Sequence, residues 1–281
     1  MEPKFPNFIV GGAPKCGTSS LYFWLSAHPE VYGSPKKETF FWSDKVNRFN
    51  QDANCQTHDA SAYASFFKGA HHERVLFEAT AHYLYESNAL EHFSSLADPP
   101  KVLFLFREPS AMMYSHYKME RYRTKRVNLP LEDYVHLPKM VRNVDYAQHL
   151  KRWMDAMPEG RVRFYAFEDI MSRKRAFMQE LSEWLGIDPQ FYDSYDFEHR
   201  NESVAIKSGA LHQWGLKLQP LVPHRLQKWL LPLYLKLNSG GRVQDDDAHA
   251  PVLAQFKTAW AKVGEELNEI DPNFPNRLWA K

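Results

Sequence analysis

Cysteine is scarce in this sequence of 281 residues: Cys16 and Cys55 are the only two. So few thiols, so far apart, exclude a disulfide-stapled fold and a zinc site built on C-x-x-C pairs, and they suit a reducing, cytoplasmic setting. Net charge is nearly absent as well, +1 at pH 7. With no global basic field to hold a duplex, nucleic acid is not expected as a partner. No apolar run is long enough to span a membrane. The greasiest stretch, 221–237, is cut by Pro223 and Pro232 and carries Arg225, Lys228 and Lys236. The opening residues, MEPKFPNFIVGG, lack a signal-peptide core, so an unexported chain is expected. Repeats, low-complexity tracts and Gly/Ser linkers are also missing, which favours a single domain over 1–281 with a helical part from about 215 onward. The histidines show no metal-ligand spacing such as H-E-x-x-H.

What is present is core-forming material: 44% of residues are apolar and 15% aromatic, enough for one large core. Phe5–Val10 reads as a buried strand ending at Gly11-Gly12, and Gly17–Ala27 as a helix with Leu21, Trp24 and Leu25 on one face. Val75–Glu78, Lys101–Phe106 and Val162–Phe167 read as further strands; the second of these is a continuous apolar run of the kind buried on both faces of a parallel sheet. Pro109 stands where a helix would begin. Val144–Met157 and Lys174–Leu185 are expected to be helical, the latter ended by Gly186, and Val252, Phe256, Trp260, Val263 and Leu267 keep helical spacing. Strands alternating with helices imply an α/β fold whose ligands bind at the C-terminal ends of parallel strands.

Two strand ends carry chemistry. Between the first strand and the first helix lies Gly11-Gly12-Ala13-Pro14-Lys15-Cys16-Gly17-Thr18-Ser19-Ser20. Glycines let backbone N–H groups close round an anion, the helix N-terminus adds partial positive charge, and Thr18 and Ser19 add hydroxyl donors. A nucleoside-triphosphate loop would read G-x-x-x-x-G-K-[ST], but here Thr18 follows Gly17 and the lysine precedes that glycine. That order argues against ATP or GTP hydrolysis. The plain alternative is a glycine turn with a surface lysine. At the second strand end, Arg107 can grip a phosphate bidentately and Ser115 can donate from within the following helix. Arg107 could instead simply pair with a nearby carboxylate.

Together the two motifs resemble the PAPS-dependent sulfotransferases, where PAPS is 3'-phosphoadenosine 5'-phosphosulfate. That family's P-K-x-G-T loop for the 5'-phosphosulfate is matched by Pro14-Lys15-Cys16-Gly17-Thr18, and its R-x-P-x-x-x-x-x-S by Arg107, Pro109 and Ser115, which implies a grip on the 3'-phosphate. Phe164-Tyr165-Ala166-Phe167-Glu168-Asp169 resembles the family's strand ending in Glu-Asp. Lys207-Ser208-Gly209, with Trp214 beyond, resembles a weakened R-K-G…W segment that would close over the 3'-phosphate; Arg242 is a rival contact. The resemblance covers Phe5 to about Trp214. It implies a P-loop NTPase-like three-layer fold, a central mostly parallel sheet flanked by helices, and sulfuryl transfer from PAPS to a hydroxyl or amine of a small-molecule or glycan acceptor, with PAP as product.

In such a transfer Lys15 would stabilise the bridging oxygen of the leaving phosphate, and no metal is required because the donor has no triphosphate charge to neutralise. Two bases are open. Glu38, in Lys36-Lys37-Glu38-Thr39-Phe40-Phe41, resembles the K-E-x-x-F-F glutamate of carbohydrate-type members and is the first choice; balancing the two lysines at the surface is its bland role. His82 lies one residue out of register with the catalytic histidine of small-molecule members. Where glycan enzymes read E-K, this chain has Glu78-Ala79, which counts against a glycan-type acceptor. Cys16, at a helix N-terminus, is expected to favour its thiolate. The basic run Lys118, Arg121, Arg123, Lys125 and Arg126 reads first as a solvated helix end. A P-loop small-molecule kinase and a non-catalytic PAPS-binding module are the rival functions. Oligomeric state, including a homo-oligomer, is open.

Overall fold

The computed structural model describes residues 3–197, 204–206, 239–242 and 247–279. Five parallel strands form its sheet: β1 (Phe8–Gly12), β2 (Val31–Gly33), β3 (Val75–Glu78), β4 (Lys101–Phe106) and β5 (Val162–Ala166), in the order β2-β3-β1-β4-β5. β1 and β3 are wholly buried and β4 almost so, which is why they read as unbroken apolar runs. A separate antiparallel pair joins β6 (Val204–Ile206) to β7 (Ser239–Arg242).

Among the described α-helices, α2 (Ala60–Ala64) and α5 (Leu131–Val135) are the shortest. Helices cover both faces. On one, α1 (Thr18–Ser26) and α9 (Lys174–Leu185) pack down: Tyr22 lies 5.3 Å from Phe77, and Trp184 meets Phe8 edge-on at 6.0 Å. On the other, Trp153 of α7 (Tyr146–Ala156) sits edge-on to Phe104 at 5.2 Å, and Phe93 of α3 (Ser87–Ser95) backs it at 6.5 Å. Aromatic pairs of this kind add about 1 kcal/mol each beyond their buried area. The outcome is the three-layer, P-loop-like sandwich expected from the sequence.

Several boundaries differ from the sequence reading, each for a local reason. Phe167 leaves the expected strand and opens α8 (Phe167–Ser172). The helix expected over Val144–Met157 breaks at Asp145, whose ψ of 62° is not helical; α6 (Pro138–Val144) ends there and α7 begins. The C-terminal apolar stripe is divided at Trp260 between α10 (Ala250–Ala259) and α11 (Lys262–Ile270). Gly186 ends α9 with φ 78°, as its position after an amphipathic helix requires.

In this strand order the chain leaves β1 towards β2 and β3 on one side and returns to β4 on the other. The C-terminal ends of β1 and β4 therefore flank the topological switch, where α/β sheets bind ligands. The β1–β4 register shifts between Val10 and Gly12, and Ala13 N–H then bonds to Leu105 O at 2.8 Å. This irregularity turns the chain out of the sheet into the loop before α1.

Candidate active site

The loop from Gly12 to Gly17 holds its shape through two residues in the left-handed region, Lys15 at φ 67° and Gly17 at φ 93°. For Lys15 that conformation costs about 1–2 kcal/mol, strain of the sort retained where a side chain has to be aimed. Gly17 has no such cost, and it is required for a second reason: a Cβ there would lie 2.7 Å from the Phe167 ring. Gly17 caps α1 without a side chain, and no acidic residue occupies that helix's first turn. The positive end of α1 is thus left for an anion.

Lys15 is half-buried, and its ammonium has one polar contact among the described residues, the Met119 sulfur at 3.9 Å. Burial, with Arg123 and Arg107 nearby, lowers its pKa to about 8. Arg107 follows β4 and lays its guanidinium over the Phe167 ring at 4.9 Å. Its Nε is sealed from solvent without a hydrogen-bond partner, and no carboxylate pairs with it among the described residues. The bland role for Arg107, an ordinary ion pair, is therefore not what it does here. The nearest acidic groups are otherwise engaged. Glu108 caps α4 (Pro109–Lys118), accepting from Ser110 N at 3.0 Å and Ala111 N at 2.8 Å. Glu168 accepts from Glu108 N at 3.2 Å and from Trp279 Nε1 at 2.8 Å. Ser115 stands half-buried on α4.

The two candidate bases come together. Glu38 Oε1 accepts from Ala81 N–H at 3.5 Å and lies 3.4 Å from Lys37 Nζ. His82, the next residue after Ala81, keeps Nδ1 sealed and unpartnered, and its ring sits 5.4 Å from Phe40. Burial pushes the His82 imidazole below its ordinary pKa, against the pull of Glu38. Glu38 also acts electrostatically on Lys15, so base and anion loop share one site.

Sequence reasoning missed what aims this second group. Glu78, fully buried at the end of β3, accepts from Tyr63 OH at 2.6 Å, Thr80 Oγ1 at 2.6 Å, Thr39 Oγ1 at 2.7 Å and Tyr83 OH at 2.9 Å. Those hydroxyls in turn accept from the backbone N–H groups of Phe40, Phe41 and Trp42. One carboxylate thereby fixes the segment that carries Glu38 on one side and the turn that carries His82 on the other. The acid at the end of an apolar strand, beside Thr80 and Tyr83, was the available signal.

One expectation is corrected. Cys16 is wholly buried, and that burial pushes its thiol up to about 12, so the helix end does not make a thiolate of it. The basic run at the end of α4 is solvated, with Arg123, Lys125 and Arg126 exposed, and it also borders the site. Lys118 lies over Tyr114 at 4.4 Å, Lys125 over Tyr122 at 6.0 Å, and Arg123 acts on Lys15. Lys207, Ser208, Gly209, Trp214, the side chain of Arg242 and the 221–237 stretch lie outside the described residues. Among the described residues no group of three His, Cys, Asp or Glu side chains could hold a metal ion, and no helix is long and apolar enough to cross a membrane.

Comparison with known proteins agrees with this geometry: the family model described as "Sulfotransferase domain" matches residues 5–205. The chain belongs to the PAPS-dependent sulfotransferase family. A crystal structure of a sulfotransferase from Alicyclobacillus acidocaldarius superposes with a TM-score of 0.59 at 26% identity, covering 81% of this chain and 96% of that one. The human bifunctional heparan sulfate N-deacetylase/N-sulfotransferase 3 is 26% identical over 205 residues, 67% of this chain and 23% of that protein. Rat carbohydrate sulfotransferase 15 is 24% identical, covering 87% of this chain and 54% of its own length. The chain thus spans about a quarter of the first relative and about half of the second.

Proposed function

We propose that this sulfotransferase moves the sulfuryl group of PAPS to a hydroxyl or amine of a small-molecule or glycan acceptor. One observation carries the reading: Lys15 and Arg107, two half-buried cations without a carboxylate partner among the described residues, stand at the open N-terminal end of α1. Burying charge without a counter-charge is costly, and an anionic donor removes that cost. Arg107 grips the 3'-phosphate together with Ser115, while the N–H groups at the start of α1, with Thr18 and Ser19, hold the 5'-phosphosulfate.

In the transfer, a lone pair on the acceptor oxygen or nitrogen forms the new bond to sulfur. The bond from sulfur to the bridging oxygen breaks, and its electron pair stays on the phosphate of PAP. Lys15 stabilises that developing charge. Glu38 takes the acceptor proton, because it is aimed by the Ala81 N–H and remains within reach of solvent. His82, whose neutral form burial favours, is the alternative base. The names of the two relatives point to heparan sulfate and other carbohydrates, whereas Ala79 in place of the lysine of glycan enzymes favours a smaller acceptor. A reducing cytoplasmic setting belongs to the same proposal and is supported by the free thiols of Cys16 and Cys55.

The test is calorimetric titration of the protein with PAP and with ATP, in the absence of magnesium. PAP should bind at micromolar concentration or below, ATP much more weakly, and Arg107→Ala should abolish the PAP signal. Equal affinity for ATP would favour a kinase, and no PAP binding would overturn the donor assignment.

A further inference from the structure

Beside the anion loop lies a buried chain of polar side chains that the proposed transfer does not use. His116 of α4 places Nδ1 2.6 Å from the Tyr134 hydroxyl, which donates to Glu120 Oε2 at 2.8 Å. Lys139 Nζ completes the shell of that carboxylate at 2.9 and 3.2 Å. An ionised carboxylate can only accept, so the tyrosine proton goes to Glu120 and the tyrosine oxygen must accept from His116. The imidazole proton is thereby fixed on Nδ1, and Nε2 is left with a bare lone pair. Nε2 has no hydrogen-bond partner among the described residues. Unlike Nδ1 of His82 or Nε of Arg107, it is not sealed from solvent.

The position of this ring on α4 matters. It follows Ser115 directly, and one turn later Met119 touches the Lys15 ammonium. Between Met119 and Arg123 the helix widens into a π-turn, a distortion common beside functional sites. The charged or titratable groups around the ring are Glu120, Lys139, Lys15 and His82, the last two being site residues. Tying the 124–140 segment to α4 needs only the Nδ1 edge. The Nε2 edge takes no part in that tie and stays open to a ligand.

We propose that His116 receives, through Nε2, a donor the acceptor carries beside the reacting proton, the second N–H of an amine or a neighbouring hydroxyl, with Tyr134 and Glu120 as positioning residues that hold its tautomer. The imidazole thereby orients the nucleophile towards the sulfur, and the reacting proton is left for Glu38 to remove. Burial, helped by Lys139, Lys15 and His82 against Glu120, keeps the ring's pKa down to about 4, so it acts as a neutral acceptor throughout the physiological range. This inference rests on the sulfotransferase reading, and it narrows the acceptor to molecules that present a second hydrogen-bond donor at or beside the reacting atom.

The test uses the full chain and two variants. Asn at this position retains an amide where Nδ1 stood, so H116N keeps the bond to Tyr134 and removes Nε2; Y134F removes the hydroxyl that sets the tautomer. PAP release from PAPS is followed with 4-nitrophenol, 1-butanol and a glucosamine oligosaccharide as probe acceptors, water being the acceptor in the blank. H116N should lower kcat/KM for the glucosamine oligosaccharide at least tenfold, chiefly through KM, and change that for 4-nitrophenol and 1-butanol little because they lack a second donor, with PAP affinity and Tm unchanged. Y134F should lose less, and the nitrogen-15 spectrum of its His116 should show both neutral tautomers in place of one. Wild-type turnover of the oligosaccharide in H116N, with PAP still bound, would overturn the proposal and leave the donor reading intact; failure of the wild type to bind PAP would instead strike the donor reading. Nitrogen-15 NMR of labelled histidine in the PAP complex tests the tautomer directly: a proton on Nε2 of His116 in place of Nδ1 overturns the proposal whatever the turnover.

Discussion

Burial, with Arg123 and Arg107 nearby, disfavours the charge of Lys15 until an anion arrives. The consequence is a pH dependence with a definite sign. Unliganded Lys15 titrates at about 8, and a bound phosphate group favours the ammonium and raises that value. Binding therefore takes up a proton above about pH 8. PAP affinity should be full below that pH and fall by up to about tenfold per unit above it. Calorimetry at pH 7, 8 and 9 in buffers of different ionisation heat would show both the fall and the proton uptake. Lys15→Met should bind weakly but without the pH step. Arg107→Lys keeps the charge and loses the planar fork, so PAP should bind about tenfold more weakly, short of the abolition expected for alanine. Cys16, by contrast, should resist iodoacetamide with or without PAP, since its thiol is buried and protonated. Modification that PAP suppresses, followed by mass spectrometry, would contradict this.

The elements that carry the site depend on a few unusual positions. Gly17→Ala would combine a positive φ with a Cβ 2.7 Å from Phe167. Moving that ring also moves the surface on which Arg107 lies, so PAP binding should fall by more than tenfold, beyond what the backbone strain alone would take from stability. At the end of β3, Glu78→Ala would strip the hydroxyls of Tyr63, Thr39, Thr80 and Tyr83 of their shared acceptor. Loss of about 3 kcal/mol or more is expected, read from urea unfolding, since each buried polar group left unsatisfied costs about 1–3 kcal/mol. β1, β3 and β4 were legible because burial on both faces leaves an apolar run, and the edge strand β5 because Val162, Phe164 and Tyr165 are β-formers; β2, at Val31–Gly33, is too short for any period to show. The π-turn after α4 has no sequence signature, and Arg123 at its end, though exposed, acts on Lys15.

At the scale of the whole molecule, the strand order did what the motifs alone could not. The P-K-x-G-T loop and Arg107 were readable as types of residue, but their meeting depends on β1 and β4 being neighbours. Glu38 and His82 likewise looked like rivals in sequence, and the fold makes them neighbours through Ala81. The His116–Tyr134–Glu120 chain was invisible because it closes across loops whose conformation no local pattern dictates. Trp279→Phe should test how far the site is held from a distance. It leaves one oxygen of Glu168 without its indole donor and should weaken PAP binding about three- to tenfold while lowering Tm by a few degrees, read by calorimetry and by a thermal melt.

That indole bond joins residues 111 positions apart, on the carboxylate that also holds the backbone just after Arg107. During synthesis, a nascent chain can complete the sheet once β5 has emerged, yet the clamp behind Arg107 waits until residue 279 has cleared the ribosome. The grip on the donor is therefore completed well after the sheet, and a ribosome stalled between β5 and residue 279 would display a sheet with its nucleotide clamp unfinished.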